Sequence, residues 1–308
     1  MKALPPLIVV LGPTASGKSA LGIQLAKRLG GEILVCDSTQ VYRRFDIGTA
    51  KVSATEQHGI PHHMVDLVDP GEVFTAGEYR RRALEVLEDM RRRESVPILT
   101  AGTGLYLRAL LEGLAEAPLR SEKLRERLRG KAAVHGPEHL HRLLARLDPE
   151  SAAGIGSRDT QKVIRAIEMR SVTGKPVGEI YRSGREPLAG YEIIKIGLLP
   201  PRGELYQRIH ERVESMIRLG WIEEVRQLVE DGVPPDVKPF KFIGYREWRE
   251  YSSGQLTKEE AVQRIRQATR NFAKRQITWF RKETAVHWLE GFGDSAEITS
   301  AALAIIQS

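Results

Sequence analysis

The chain has 308 residues, 47 Lys and Arg against 40 Asp and Glu for a formal net charge of +7, a hydrophobic fraction of 41% and one cysteine. That hydrophobic fraction builds a core and excludes a disordered chain, while a single cysteine excludes an internal disulfide framework or a cysteine-rich zinc site. No apolar run approaches the roughly 18 residues of a membrane span, and the opening run at 7–11 is too short for a signal peptide and leads into glycine, so the expectation is a cytoplasmic protein of about two domains, without a membrane partner and monomeric.

Taken in chain order, residues 7–11 read as a buried parallel strand. A helix follows over 17–29, closed by Gly30-Gly31. Residues 32–36 form a second strand that ends at Asp37. A charged amphipathic helix is predicted over 76–93, a third strand over 96–100, and then Gly102, Gly104 and a helix through Leu111. Strands alternating with helices imply a doubly wound parallel sheet, an α/β fold. Between 113 and 190 no strand pattern appears, and 118–130, 137–147 and 160–173 carry helical spacing, so this stretch reads as a helical insertion in a core formed by 1–112 and 191–308. Residues 193–199 return to the sheet. Helices are expected over 202–219, 221–231, 244–251 and from 257 to about 282.

Residues 12–19 read GPTASGKS, which satisfies G-x-x-x-x-G-K-[ST] between a strand and a helix. In the loop of Gly12, Pro13, Thr14, Ala15, Ser16 and Gly17 the glycines let backbone amides wrap a phosphate at a helix N-terminus. Lys18 adds a point charge, and the Ser19 hydroxyl suits Mg²⁺. The motif reads phosphate charge and says nothing of what the phosphate is attached to. Nucleotide hydrolases add a strand ending in a magnesium-binding Asp; here the third strand ends in TAGTG, and Asp37 ends the second. Asp37 is either a magnesium carboxylate or a general base facing the phosphate. Ser38, Gln40, Tyr42, Arg43 and Thr49 follow it, where parallel sheets place ligands, the alternative being a turn capped by Asp37 or Ser38; Thr103 points a hydroxyl toward the same crevice or caps the helix that follows. His62 and His63, Cys36 and the four tryptophans read as structural.

Residues 262–282 hold Arg264, Arg266, Arg270, Lys274, Arg275, Arg281 and Lys282 and no acid; removing these seven from the 47 basic residues leaves 40, equal to the acids. At about 100° per residue they form two neighbouring stripes opposite Val262, Ile265, Ala268, Phe272, Ala273, Trp279 and Phe280. An uncompensated cationic face of this kind is what neutralises a nucleic-acid backbone.

Together these segments resemble the bacterial tRNA dimethylallyltransferases (tRNA isopentenyltransferases). The likeness runs over nearly the whole chain: GPTASGKS at 12–19, DSTQVYRRFDIGTAK at 37–51, IPHHMVDLVDP at 60–70, AGTGLYLRAL at 101–110, VIRAIEMRSVTGKP at 163–176, IGYRE at 243–247 and AKRQITWFRK at 273–282. The resemblance implies a phosphate-loop fold and transfer of a dimethylallyl group from dimethylallyl diphosphate to N6 of the adenosine 3′ of the anticodon. It implies Asp37 as general base, Thr103 beside the same amine or the diphosphate, and Lys18, Thr14, Ser19 and Arg212 or Arg208 on the diphosphate with Mg²⁺. It also implies contacts to the tRNA anticodon stem-loop from Asp37, Ser38, Thr39, Gln40 and Thr103, from Arg125, Gln161, Lys162 and Arg165 in the insertion, and from Lys241, Gly244, Tyr245, Arg246, Arg266, Arg270, Lys274, Arg275, Gln276 and Arg281. One departure stands out: the family pattern Q-R-x-x-R reads Gln161-Lys162-Val163-Ile164-Arg165 here, so Lys162 keeps the charge and loses the bidentate fork. The alternative readings are a small-molecule or nucleoside kinase, for which the basic helix has no role, and a non-catalytic RNA-binding switch.

Overall fold

Near-continuous apolar runs at the strands bury both faces of one sheet, as all-parallel sheets require. In a computed structural model, which describes residues 4–115, 118, 120–182 and 185–308, six strands pair in parallel in the order β3-β2-β4-β1-β5-β6. The chain divides into two compact units, Met1–Leu110 with Ala189–Ser308, and Leu111–Leu188.

The first unit opens with β1 (Pro6–Leu11), α1 (Lys18–Leu29) and β2 (Gly31–Cys36). A long folded connection carries the short α2 (Ala54–Gln57) and β3 (His62–His63) before α3 (Ala76–Arg92), β4 (Val96–Ala101) and α4 (Gly104–Glu112). After the second unit the chain returns through β5 (Glu192–Leu198), α10 (Arg202–Arg218), α11 (Trp221–Glu230), a 3-10 turn at Lys238–Lys241, α12 (Tyr245–Ser252), α13 (Lys258–Phe280), β6 (Val286–Leu289) and α14 (Ala296–Gln307). Sequence reading omits β3, β6 and α14. β3 is two histidines long, and its only regular feature is its pairing with Ile33 and Leu34. Ser295 caps α14, accepting from the Ile298 amide, and α14 joins α1 on one face of the sheet through Ile298 and Ala302, which pack with Leu21, Leu25, Ile8, Val10, Ile33 and Ile196. Each of the isoleucine, leucine and valine side chains among them contributes about 1.5–3 kcal/mol when fully buried.

The register sets up the site. Leu11 lies opposite Ala101, and Cys36 lies opposite Ala101 on its other side. Gly12, Asp37 and Gly102 therefore leave the same edge of the sheet in adjacent rows. Adjacent strands are about 4.8 Å apart, so the loop after β1 and the loop after β2, with β4 between them, are separated by roughly 10 Å.

The second unit holds α5 (Glu122–His135), α6 (Pro137–Leu147), α7 (Pro149–Ala153), α8 (Thr160–Thr173) and α9 (Val177–Arg182). The helix expected over 118–130 starts later because Ser121 caps it; residue 119 lies outside the described residues. Leu128, Leu140, Leu144, Val163, Ile167 and Ile180 form its core. Beside that core, Glu168 is fully buried. Arg125 binds its carboxylate through Nε at 3.0 Å and Nη2 at 2.8 Å, Arg165 at 2.6 Å, and the Ser121 amide at 2.7 Å. Burial pushes the Glu168 carboxyl up, but these hydrogen bonds outweigh it and hold it near 2. Arg125 and Arg165, expected on RNA, are thus engaged in an internal ion network, while Gln161 and Lys162 are exposed and Lys162 pairs with Asp159 at 2.6 Å.

Replacing Glu168 by Gln leaves two arginines facing a neutral amide, and urea unfolding of this unit should show a loss of about 3–5 kcal/mol. Because the folded carboxyl sits below its ordinary value of 4.5, its contribution is complete above pH 4.5 and is lost as pH falls from there toward 2. An acid-unfolding profile identical in the wild type and Glu168→Gln contradicts this role.

Candidate active site

The phosphate loop turns between β1 and α1, and no side chain caps α1, so its first-turn amides are uncommitted. Lys18 lies in the loop and donates from Nζ to the Pro13 carbonyl at 2.6 Å. Burial and then the neighbouring Arg212 charge press its pKa down from 10.5 to about 7, with Asp37 opposing them. Arg212, on α10, is lowered by burial as well. Two cations held close together with one carboxylate nearby form a site that an anion relieves.

A cavity of about 1090 Å³ opens here, and Thr14, Ala15, Gly17, Lys18, Ser19, Asp37, Gln40, Gly102, Arg212 and Gln276 line it. Ile23, Ile33, Val35, Met216, Leu219 and Phe272 line it as well, so the cavity combines cationic groups with apolar surface. Gly12, Pro13 and Ser16 belong to the loop but do not line this space. Neither does Arg208: it forms a bidentate pair with Asp294 and stacks over Phe292 at 4.2 Å. Of the two arginines considered for the diphosphate, Arg212 is the one at the cavity.

Asp37 is fixed by its neighbours. Its Oδ1 accepts from the Thr39 amide at 2.8 Å and the Thr39 hydroxyl at 2.6 Å. Its Oδ2 lies against Gly102, where a Cβ would come within 2.7 Å of it, so only glycine leaves room for the carboxylate. Thr103 does not line the cavity; its hydroxyl accepts from the Ser38 amide at 3.0 Å and donates to the Ser38 hydroxyl at 3.3 Å. It therefore ties the turn after β4 to the segment that follows Asp37.

That segment, residues 37–51, is a folded loop and not a helix. Gln40 donates to the Thr49 carbonyl at 3.0 Å, and Lys51 donates to the Tyr42 carbonyl at 2.7 Å and to Asp46 at 2.6 Å. Glu224 of α11 accepts the Asp46 and Ile47 amides at 3.0 and 2.7 Å and the Tyr245 hydroxyl at 2.6 Å. Phe45 packs between Phe240 and Tyr245, with ring centroids 5.4 and 4.8 Å away. Tyr245 is fully buried, and a Cβ on Gly244 would come within 1.9 Å of the Trp221 ring at a φ of +89°. Gly244 and Tyr245, expected at the RNA, are thus interior groups that hold the cavity wall. Glu224 has no local sequence signal: it is one acid among several in an ordinary helix, 178 residues from its first partner.

The basic helix packs as its periodicity predicts on one side, through Ala261, Ile265, Ala273, Gln276 and Phe280. Trp279, expected on that side, is 36% exposed. Its cationic face is partly compensated: Arg264 pairs with Glu250, Arg266 with Glu214, and Arg270 bonds His210. Lys274, Arg275, Arg281 and Lys282 are exposed and make no ion pair among the described residues. Lys241 is exposed, and Arg246 is exposed beside the buried Glu247. Gln276 faces inward and is 6% exposed.

A phosphate loop and an ordered carboxylate opening on one cavity at the end of a parallel sheet define a phosphate-loop α/β enzyme. The model of the IPP transferase family matches residues 40–283. The chain is 50% identical over 308 residues to the tRNA dimethylallyltransferase of Koribacter versatilis, covering 99% of each, and 48% identical to that of Solibacter usitatus, covering 97% of each. Its fold is similar to the full-length tRNA isopentenylpyrophosphate transferase of Bacillus halodurans (TM-score 0.72, 36% identity, 98% of this chain and 96% of that one). It is also similar to a eukaryotic dimethylallyltransferase acting on tRNA (TM-score 0.81, 27% identity, 98% of this chain and 78% of that one). The chain belongs to the IPP transferase family and is a transferase. Among the described residues no helix is long and apolar enough to cross a membrane.

Replacing Glu224 by Ala removes the shared acceptor of the 46–47 amides and should cost about 2–3 kcal/mol. Hydrogen exchange at Asp46 and Ile47 should quicken well beyond that at the sheet amides; unchanged exchange there means the aromatic packing alone holds the loop.

Proposed function

We infer that this protein is a cytoplasmic enzyme that transfers a dimethylallyl group from dimethylallyl diphosphate to N6 of the adenosine immediately 3′ of the anticodon in tRNA, releasing diphosphate. The observation that carries the reading is that Lys18, Arg212 and Asp37 line a single cavity. The diphosphate lies on the phosphate loop, and the five-carbon group extends toward Asp37, whose strand end is two strand spacings, roughly 10 Å, from the strand end that carries the loop.

In the reaction the C1–O bond to the diphosphate breaks as the N6–C1 bond forms. Negative charge collects on the leaving diphosphate, where Lys18, Arg212 and the loop amides are already placed to stabilise it. An adenine N6 is a weak nucleophile because its lone pair is delocalised. The Asp37 carboxylate takes the N6 proton as the new bond forms. Thr39 holds that carboxylate through two hydrogen bonds. The target base sits in a single-stranded loop and is extruded at modest cost. Exposed Lys274, Arg275, Arg281 and Lys241 are available to phosphates of the RNA.

Magnesium fits this site through the Ser19 hydroxyl at the cavity. Among the described residues no cluster of three or more His, Cys, Asp or Glu forms a protein cage. The ion would be held by the Ser19 hydroxyl and the diphosphate's own oxygens, as Mg²⁺ commonly is, and when bound it neutralises leaving-group charge.

Purified protein given dimethylallyl diphosphate, Mg²⁺ and unmodified tRNA should yield N6-dimethylallyl adenosine by mass spectrometry. Asp37→Ala should slow transfer by roughly 10²–10⁴-fold with tRNA affinity nearly unchanged. ATP turnover without prenylated RNA would overturn the reading. A second outcome follows from Lys18, whose pKa near 7 makes it partly neutral in the free protein. Binding the diphosphate favours the charged lysine, so above pH 7 binding takes up a proton and weakens by up to about tenfold per pH unit. Calorimetry at pH 8, above the ordinary phosphate-ester value of about 6, in buffers of different ionisation enthalpy should show that uptake in the wild type and lose it in Lys18→Met.

A further inference from the structure

Gln276 follows directly on the exposed Lys274 and Arg275 in α13, yet its own side chain is turned inward. Its Oε1 accepts from the Thr14 amide at 2.8 Å, and its Nε2 donates to the Gly102 carbonyl at 2.8 Å. Thr14 belongs to the phosphate loop. Gly102 is the residue against which Oδ2 of Asp37 rests. One planar amide, with one fixed donor side and one fixed acceptor side, therefore spans the two halves of the cavity.

We propose that Gln276 is a positioning residue: it sets the phosphate loop at a fixed distance from Asp37, and it ties both to the helix that carries the exposed cations. This rests on the reading under Proposed function for its chemistry, but not for its geometry. With its oxygen on Thr14 and its nitrogen on Gly102, Gln276 has both polar groups committed within the protein. It contributes to RNA modification through the site and not by touching RNA. A committed Thr14 amide leaves the later loop amides to converge on the phosphate, so the loop is ordered before the ligand arrives and binding spends less on ordering it. The Gly102 bond keeps the turn beside Asp37 from drifting. Both matter because a misplacement of about 1 Å between reacting groups costs on the order of 10²-fold in rate.

The test uses Gln276→Met, which keeps side-chain length and removes both hydrogen bonds. Three quantities are measured: calorimetric affinity for inorganic diphosphate with Mg²⁺, the single-turnover transfer rate at saturating dimethylallyl diphosphate and tRNA, and tRNA affinity. Diphosphate affinity should fall about tenfold, as the loss of a buried hydrogen bond implies. Transfer at saturation should slow by about a further tenfold or more, with tRNA affinity within about twofold of wild type on the premise that Gln276 does not touch RNA. Unchanged diphosphate affinity and rate in a folded variant overturn the proposal, and so does a large loss of tRNA affinity with diphosphate binding intact. Gln276→Glu keeps an acceptor for Thr14 and sets a carboxylate against the Gly102 carbonyl; it should slow transfer as the Met variant does, and a wild-type rate overturns the bridging role. A wild type that binds diphosphate but never prenylates tRNA contradicts the proposed function instead, and the diphosphate-affinity comparison still decides the role of Gln276.

Discussion

Three strand ends in register govern this molecule. Because Leu11, Ala101 and Cys36 lie side by side, the loop that can cradle a diphosphate, the turn at Gly102 and the carboxylate of Asp37 leave the sheet along one edge. Hydrogen bonds between strands fix that spacing, and nothing in the loops could reproduce it alone. The remaining architecture of the first unit keeps these loops where the sheet delivers them. Glu224 and the aromatic group around Phe45 hold the connection after Asp37. The Gly293 amide bonds the Ser16 carbonyl at 2.9 Å and supports the phosphate loop from beside β6.

The electrostatics follow from the same placement. Lys18 and Arg212 are pressed together and partly desolvated, which lowers the pKa of both. A folded protein tolerates that arrangement where an anion gives it a use. The opposite solution appears in the second unit, where Glu168 is enclosed by two arginines and the charges are balanced internally. The two clusters differ in how the fold places a carboxylate beside the cations: Asp37 shares an open cavity with Lys18 and Arg212, whereas Glu168 is bonded directly by both arginines.

That difference marks the boundary of what the sequence makes legible. The alternation of strands and helices and the position of residues 12–19 between a strand and a helix are readable because they depend on local periodicity and on one short motif. The parallel sheet follows from them. Long-range pairing is what escapes. Arg125 and Arg165 read as RNA contacts until Glu168 is seen between them, and so does Tyr245 until Glu224 and Phe45 close over it. The seven charges of residues 262–282 read as an uncompensated strip, but Glu250 and Glu214, on other helices, take two of them. The strands β3 and β6 are short and gain their structure from neighbours already in place, so their own residues carry little signal.

The central claim is that one cavity holds the diphosphate and the accepting adenine at once, with Asp37 at the nitrogen. A structure of the protein with an unreactive thiodiphosphate analogue of dimethylallyl diphosphate and an anticodon stem-loop tests it most directly. The account predicts the thiodiphosphate on the 12–19 loop beside Lys18 and Arg212, and the adenine N6 within hydrogen-bond reach of the Asp37 carboxylate. A diphosphate bound away from that loop, or an adenine whose N6 faces away from Asp37, would contradict it.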